Sequence, residues 1–144
     1  MATSAPAKFN DYINQLHRAK HDWSTHVFKV MLTNTAPVVT NAIKGDITEI
    51  AAANGYAAGG PAAAITMAMA AGVLTVSGAQ ATITAAGGAI GPFRYAVLYN
   101  DTTAAPVKPL VDFMDYGAAL TLADGEAIVV KFNSANPGAI FTAA

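Results

Sequence analysis

Three histidines, nine carboxylates and no cysteine bound the chemistry open to this 144-residue chain. His17 and His21 stand four positions apart, so on a helix they share a face. With His26, Asp22 or Glu49 they could hold zinc or nickel. The plainer alternative is a polar helix face that carries imidazoles. Position 18 is Arg18, so no HExxH motif exists, and no thiolate ligand is available. A later acidic group comprises Asp112, Asp115, Asp124 and Glu126. Paired carboxylates can do glycosidase-type acid–base work or bind calcium. Asp112 and Asp115 are three positions apart, however, and on a strand they point to opposite faces. They read instead as solvated loop and edge-strand charges, which discourage uncontrolled strand pairing. Gly59-Gly60, Gly87-Gly88 and Gly91 form neither a dinucleotide-binding GxGxxG nor a P-loop, and read as turns. No GxSxG is present, and none of Ser4, Ser24, Ser77 and Ser134 has an evident base nearby in sequence. The expectation is therefore a non-enzyme with no catalytic residue, cofactor or metal.

Aromatic residues offer a second kind of site. Phe93, Tyr95 and Tyr99 share strand parity, and Trp23, Phe113 and Tyr116 could join them. Such a row serves as core or as a cross-strand ladder; the alternative is a platform for sugar or protein. Arg94 sits opposite the row and could project to a partner.

The elements that must position these groups are mainly β. Residues 1–10 read as a flexible arm, with Pro6 and nothing periodic to bury. Residues 11–22 show helical spacing of Tyr12, Ile13, Leu16 and Ala19 behind a cap at Asn10 or Asp11. Residues 26–33 alternate as a strand, with Phe28, Val30 and Leu32 as its core face. Asp46, Glu49 and Asn54-Gly55 mark a second, two-turn helix, and residues 56–61 a loop. Past Pro61, short strands are expected at 65–69, 73–76, 81–84, 93–99, 110–114, 119–122 and 128–132, punctuated by glycine, proline, asparagine and aspartate. Asp124-Gly125 looks like the turn of a hairpin. The pattern predicts a single mainly-β domain over residues 11–144, a β-sandwich or barrel with a short N-terminal helix and one short additional helix.

Composition narrows the function. The net charge is −1, and charged residues make up 12% of the chain, against about 25% in an average soluble protein. No basic stripe exists for phosphate contacts, so nucleic acid is not an expected partner. The most apolar stretch, residues 62–76, is bounded by Gly59-Gly60-Pro61 and Ser77-Gly78; it falls short of the roughly 20 residues a spanning helix needs, and the first residues lack the apolar run of a secretory signal. No membrane partner is expected. With 53% hydrophobic residues, the surface suits a molecule largely covered by other protein, including other copies of itself.

Several ordered blocks resemble small structural proteins of tailed bacteriophages: Phe28-Lys-Val-Met-Leu-Thr-Asn-Thr-Ala-Pro, Asp46-Ile-Thr-Glu-Ile-Ala-Ala-Ala-Asn-Gly-Tyr-Ala-Ala-Gly-Gly, Gly91-Pro-Phe-Arg-Tyr-Ala-Val-Leu-Tyr-Asn-Asp-Thr, Met114-Asp-Tyr-Gly and Leu122-Ala-Asp-Gly-Glu. The resemblance runs from about Lys8 to the C-terminus. It departs from the pattern at Val111-Asp-Phe-Met, where related chains tend to be bulky and apolar. It implies a virion protein without catalytic residues: a capsid decoration (cement) protein bound to the major capsid protein, or a tail or neck component. Terminal arms help such proteins wrap a neighbour, and residues 1–10 and 136–144 are candidates. Lys8, Phe9, Arg94 and Phe141 are the expected partner-binding residues. A carbohydrate-binding domain using the aromatic row is the reading from another class.

Overall fold

The computed structural model describes residues 6–132 and 141–143. In chain order the elements are β1 (Ala7–Lys8), α1 (Asp11–His17), β2 (Phe28–Thr33), a 3-10 turn (Lys44–Asp46), β3 (Ala64–Ala70), β4 (Val73–Thr84), β5 (Ile90–Asn100), β6 (Leu110–Leu122), β7 (Ala127–Lys131) and β8 (Phe141–Ala143). One antiparallel sheet has the order β1-β6-β5-β2; the other has β3-β4-β7, with β8 also pairing β4. The two sheets pack as a sandwich.

Alternation along the strands builds the core. Phe28, Val30 and Leu32 of β2, with Ala96 and Leu98 of β5, face Val76, Ala81 and Ile83 of β4 and Ile128 and Val130 of β7 in one buried cluster. Helix α1 adds Tyr12 to it, and Trp23 stacks on Phe28 with ring centroids 4.1 Å apart. The first sheet is covered on its other face too. Met31, Val97, Tyr99 and Leu110 meet Phe9 and Ile47 there in a second cluster. Double coverage explains why β2 is buried along nearly its whole length.

The structure departs from the sequence expectations at five places. Residues 7–10 are not a loose arm: Ala7 and Lys8 pair with Phe113 and Asp112, Phe9 is buried, and the Asn10 N–H bonds the Val39 carbonyl. Residues 1–5 of that arm lie outside the described residues. Helix α1 stops at His17 because Ala19 takes a left-handed conformation, φ 58°, and the Lys20 N–H closes onto the Gln15 carbonyl. No two-turn helix follows Asp46. Its carboxylate instead accepts from the Ala42 and Ile43 N–H groups behind it, and the Ile50 N–H bonds the Leu32 carbonyl on the edge of β2. The edge of a buried strand must be satisfied, and that requirement overrides the local helix signal.

The remaining two differences concern glycine. Residues 73–76 and 81–84 are halves of one strand, as are 110–114 and 119–122. Gly91 and Gly117 sit within β5 and β6, at φ 128° and 86°, where the ladder shifts register; they act as bulges rather than turns. Asp124-Gly125 does form a tight turn, with the Glu126 N–H on the Ala123 carbonyl. It joins β6 of one sheet to β7 of the other, so it is a corner of the sandwich and not a hairpin. Of the proposed second arm, residues 136–140 and 144 lie outside the described residues, while Phe141–Ala143 pairs with Leu74–Val76 of β4.

Candidate interaction surface

The histidines do not converge on a metal. His17 ends α1, whereas His21 is buried beyond it. His21 and His26 both present Nδ1 to the Asn100 amide, at 3.4 and 2.9 Å, and the same amide donates to the Lys20 carbonyl at 3.0 Å. Asn100 thus ties the segment after α1 to the end of β5. Burial pulls the His21 pKa down to about 4, helped by His26 and opposed by Asp11, so the ring is neutral at pH 7. Asp22 accepts from Ser24 and Thr25, which hold its carboxyl far below the usual range. Glu49 is occupied elsewhere. Among the described residues, no three histidine or carboxylate side chains group to hold a metal.

The later acids are each engaged by a different partner. Asp112 pairs across β5–β6 with Leu98, on the main-core face, and is buried. The Lys8 ammonium reaches it at 3.2 Å. Burial pushes its pKa up to about 6, while Lys8 and the Phe113 N–H hold it back. Asp115 forms a two-pronged pair with Arg94, Oδ1 to Nε at 2.7 Å and Oδ2 to the terminal nitrogen at 2.9 Å. Asp124 accepts from the Gly87 N–H and Glu126 from the Ala123 N–H. These acids tie the chain together, each with its own partner.

The aromatic row is broken by the bulges of β5. Register shifts lie between Phe93 and Tyr95 and between Leu98 and Tyr99. Phe93 enters the main core, and Tyr99 enters the second cluster behind the sheet. Both are fully buried, and Tyr95 alone is partly open, beneath the Arg94 guanidinium at 5.4 Å. The three rings therefore present no shared platform.

Of the expected partner contacts, Phe9 is 2% exposed and packs its ring, tilted by 46°, against Phe113 at 5.0 Å. Lys8 is spent on Asp112, and Arg94 stays partly exposed while bound to Asp115. Phe141 is placed by its backbone pairing with Val76.

A polar clamp that sequence reasoning read as a helix signal surrounds Glu49. One carboxylate oxygen accepts from the Tyr56 hydroxyl and the Gly59 N–H, both at 2.6 Å; the other pairs with Lys44 at 2.7 Å. Burial raises the Glu49 pKa, but Lys44, Tyr56 and the Gly59 N–H outweigh it and hold the group below its ordinary value. The Tyr56 hydroxyl also accepts from the Leu32 N–H, and Tyr99 donates to the Gly59 carbonyl at 2.7 Å. Gly60, at φ 73°, then presses against the Val30 carbonyl so closely that a Cβ would collide with it. The clamp fastens residues 49–61 along the edge of β2.

What the fold leaves open is elsewhere. Between Glu49 and Arg94 the sequence carries no charged residue for 44 positions. That stretch supplies β3 and β4, and their hairpin is exposed on both faces near its tip. Met69 is 68% exposed and Met67 39%, and Val73 and Val129 are also open. By contrast Lys8, Lys29, Lys44, Arg94 and Lys108 are all held in ion pairs. A count of charges along the chain would have found this uncharged surface without any structure. No helix among the described residues is long and apolar enough to cross a membrane.

The fold and these surfaces define a β-sandwich whose charges are largely turned to internal ties and whose second sheet offers an uncharged apolar edge. No protein-family model, curated protein or solved structure matches the chain.

Proposed function

We propose that this chain is a non-enzymatic structural protein of a tailed-bacteriophage virion, and within that class a capsid decoration (cement) protein that binds the major capsid protein lattice. The observation that carries the reading is the uncharged β3–β4 hairpin, with Met67, Met69 and Val73 exposed, on a body in which Lys8, Lys29, Lys44, Arg94 and Lys108 are held in ion pairs. Such a surface favours broad protein contact over ion or nucleic-acid binding. Repeated display on equivalent sites lets a modest contact give a durable coat. The blocks that resemble phage structural proteins support the same reading, and they fall on β2, the Glu49 clamp, β5 and the β6–β7 corner.

Cryo-electron microscopy of purified virions of a phage that encodes the chain tests the proposal. Density for this sandwich repeated over the capsid lattice is the expected result. Density confined to the tail or neck would replace the head reading with the tail one, and absence from the particle would end both.

A further inference from the structure

We propose that β3 is a self-association edge: two copies of this chain pair antiparallel through β3, about a two-fold axis near Met67, to make one continuous sheet across both molecules. This names the strand through which copies would meet. It does not depend on the array being a virion.

Three observations converge. The first is the open edge. β3 is the outermost strand of its sheet, paired with β4 on one side only, and no backbone partner lies on its other side among the described residues. Natural edges are usually blunted by lysine, proline or brevity. This one runs seven residues, Ala64–Ala70, without a charge or proline, and its only irregularity lies between Ala64 and Thr66. A row of unpaired N–H and C=O groups is completed by another strand.

The second observation is where the methionines lie. Cross-strand partners share a face. Met67 pairs with Val76, which is fully buried, so Met67, Met69 and Leu74 belong to the inner face of the sandwich. Met69 is nonetheless 68% exposed and Met67 39%. The hairpin, turned at Ala71-Gly72 with both residues at positive φ, carries the inner face beyond the sheet that should cover it. A two-fold axis normal to the sheet puts the same face of both copies on the same side. Pairing about Met67 then sets Met67 beside Met67, and Ile65 beside Met69, of the two copies.

The third is charge. A strand bearing lysine or glutamate would find no counter-charge anywhere from residue 50 to residue 93. Desolvating such a charge costs free energy with no return. An uncharged strand meets no such cost, and β3 itself is one.

A seven-residue strand pair is smaller than the roughly 800 Å² per partner of a standard interface, so the free dimer is weak and concentration-dependent. Sedimentation should show a mass rising from 14.7 kDa toward twice that value as the chain approaches about 1 mM, where millimolar pairs populate. The chain has no cysteine, so single-cysteine variants report register without background. Under a copper oxidant, Met67→Cys should give a disulfide dimer. Ala70→Cys should not, because its counterpart would stand about 20 Å away along the strand. Thr66→Lys and Ala68→Lys, both at exposed positions, should weaken association at least tenfold, with circular dichroism and the thermal midpoint unchanged. A chain that stays at 14.7 kDa at every concentration overturns the proposal. A dimer indifferent to both lysines, or one cross-linked equally at residues 67 and 70, overturns it as well. None of these outcomes bears on whether the chain resides in a virion.

Discussion

Asp112→Asn should leave this protein as stable as its parent, or more so, at pH 7.5, although it removes an ion pair. The side chain is 1% exposed and sits under α1 on the core face of β6. Its pKa is about 6 in the folded chain against 3.8 for the free group. A pKa raised by folding means that the folded state favours the protonated form. The associated stability is full below pH 3.8 and is lost as pH rises through 6. The difference between the two values corresponds to about 3 kcal/mol, and with almost no solvent access little screening reduces it. Lys8 recovers part of the burial cost but not all of it, the usual balance for a buried pair. An amide keeps the shape and can still accept from the Phe113 N–H.

The assay is urea unfolding from pH 3.5 to 7.5 for parent and variant. His21 is common to both chains and cancels in their difference. That difference should move by about 3 kcal/mol in favour of the variant, mostly between pH 4 and 6. In the parent, Asp112 also hides His21. From pH 7 to 5 the parent gains about 1.3 kcal/mol as Asp112 protonates and loses about 2 as His21 is asked to charge, so its curve is nearly flat there. The variant should show the His21 loss uncovered. A difference that stays level across the range, or that grows against the variant as pH rises, would refute the burial argument. It would mean that Lys8 and the Phe113 N–H repay the desolvation in full or more.

The other expectations concern single sites. Replacing His21 with Gln should remove the loss of about 2 kcal/mol between pH 7 and 5, since the ring is buried neutral with a pKa near 4; the same urea series reads it. Gly60→Ala should cost at least about 2 kcal/mol in chemical unfolding, because a left-handed φ and a collision with the Val30 carbonyl act together. Glu49→Ala should cost about 2–4 kcal/mol, as it strands the Tyr56 hydroxyl, the Gly59 N–H and Lys44 at once. Hydrogen exchange should then show residues 49–61 opening before the sheets.

Strand alternation and composition in the sequence determined the class of fold, because burial of one face requires period-two spacing whatever the partner. Phe28, Val30 and Leu32 were legible as core for that reason. The tertiary structure alone decided what depends on which edges meet. Asp46 and Glu49 spell a helix start locally, but the edge of β2 needed hydrogen bonds, and Glu49 became a clamp for a loop. Phe93 and Tyr99 share strand parity, yet bulges send them into separate cores. Asp112 reads as a solvated edge charge and is buried, because β1 and α1 close over β6 from far away in sequence. Asp124-Gly125 turns as its residues dictate, but no local signal states that its two strands belong to different sheets. Turn geometry and alternation act over a few neighbours. Register, burial of a charge and the exposure of Met69 follow from contacts between residues distant in the chain.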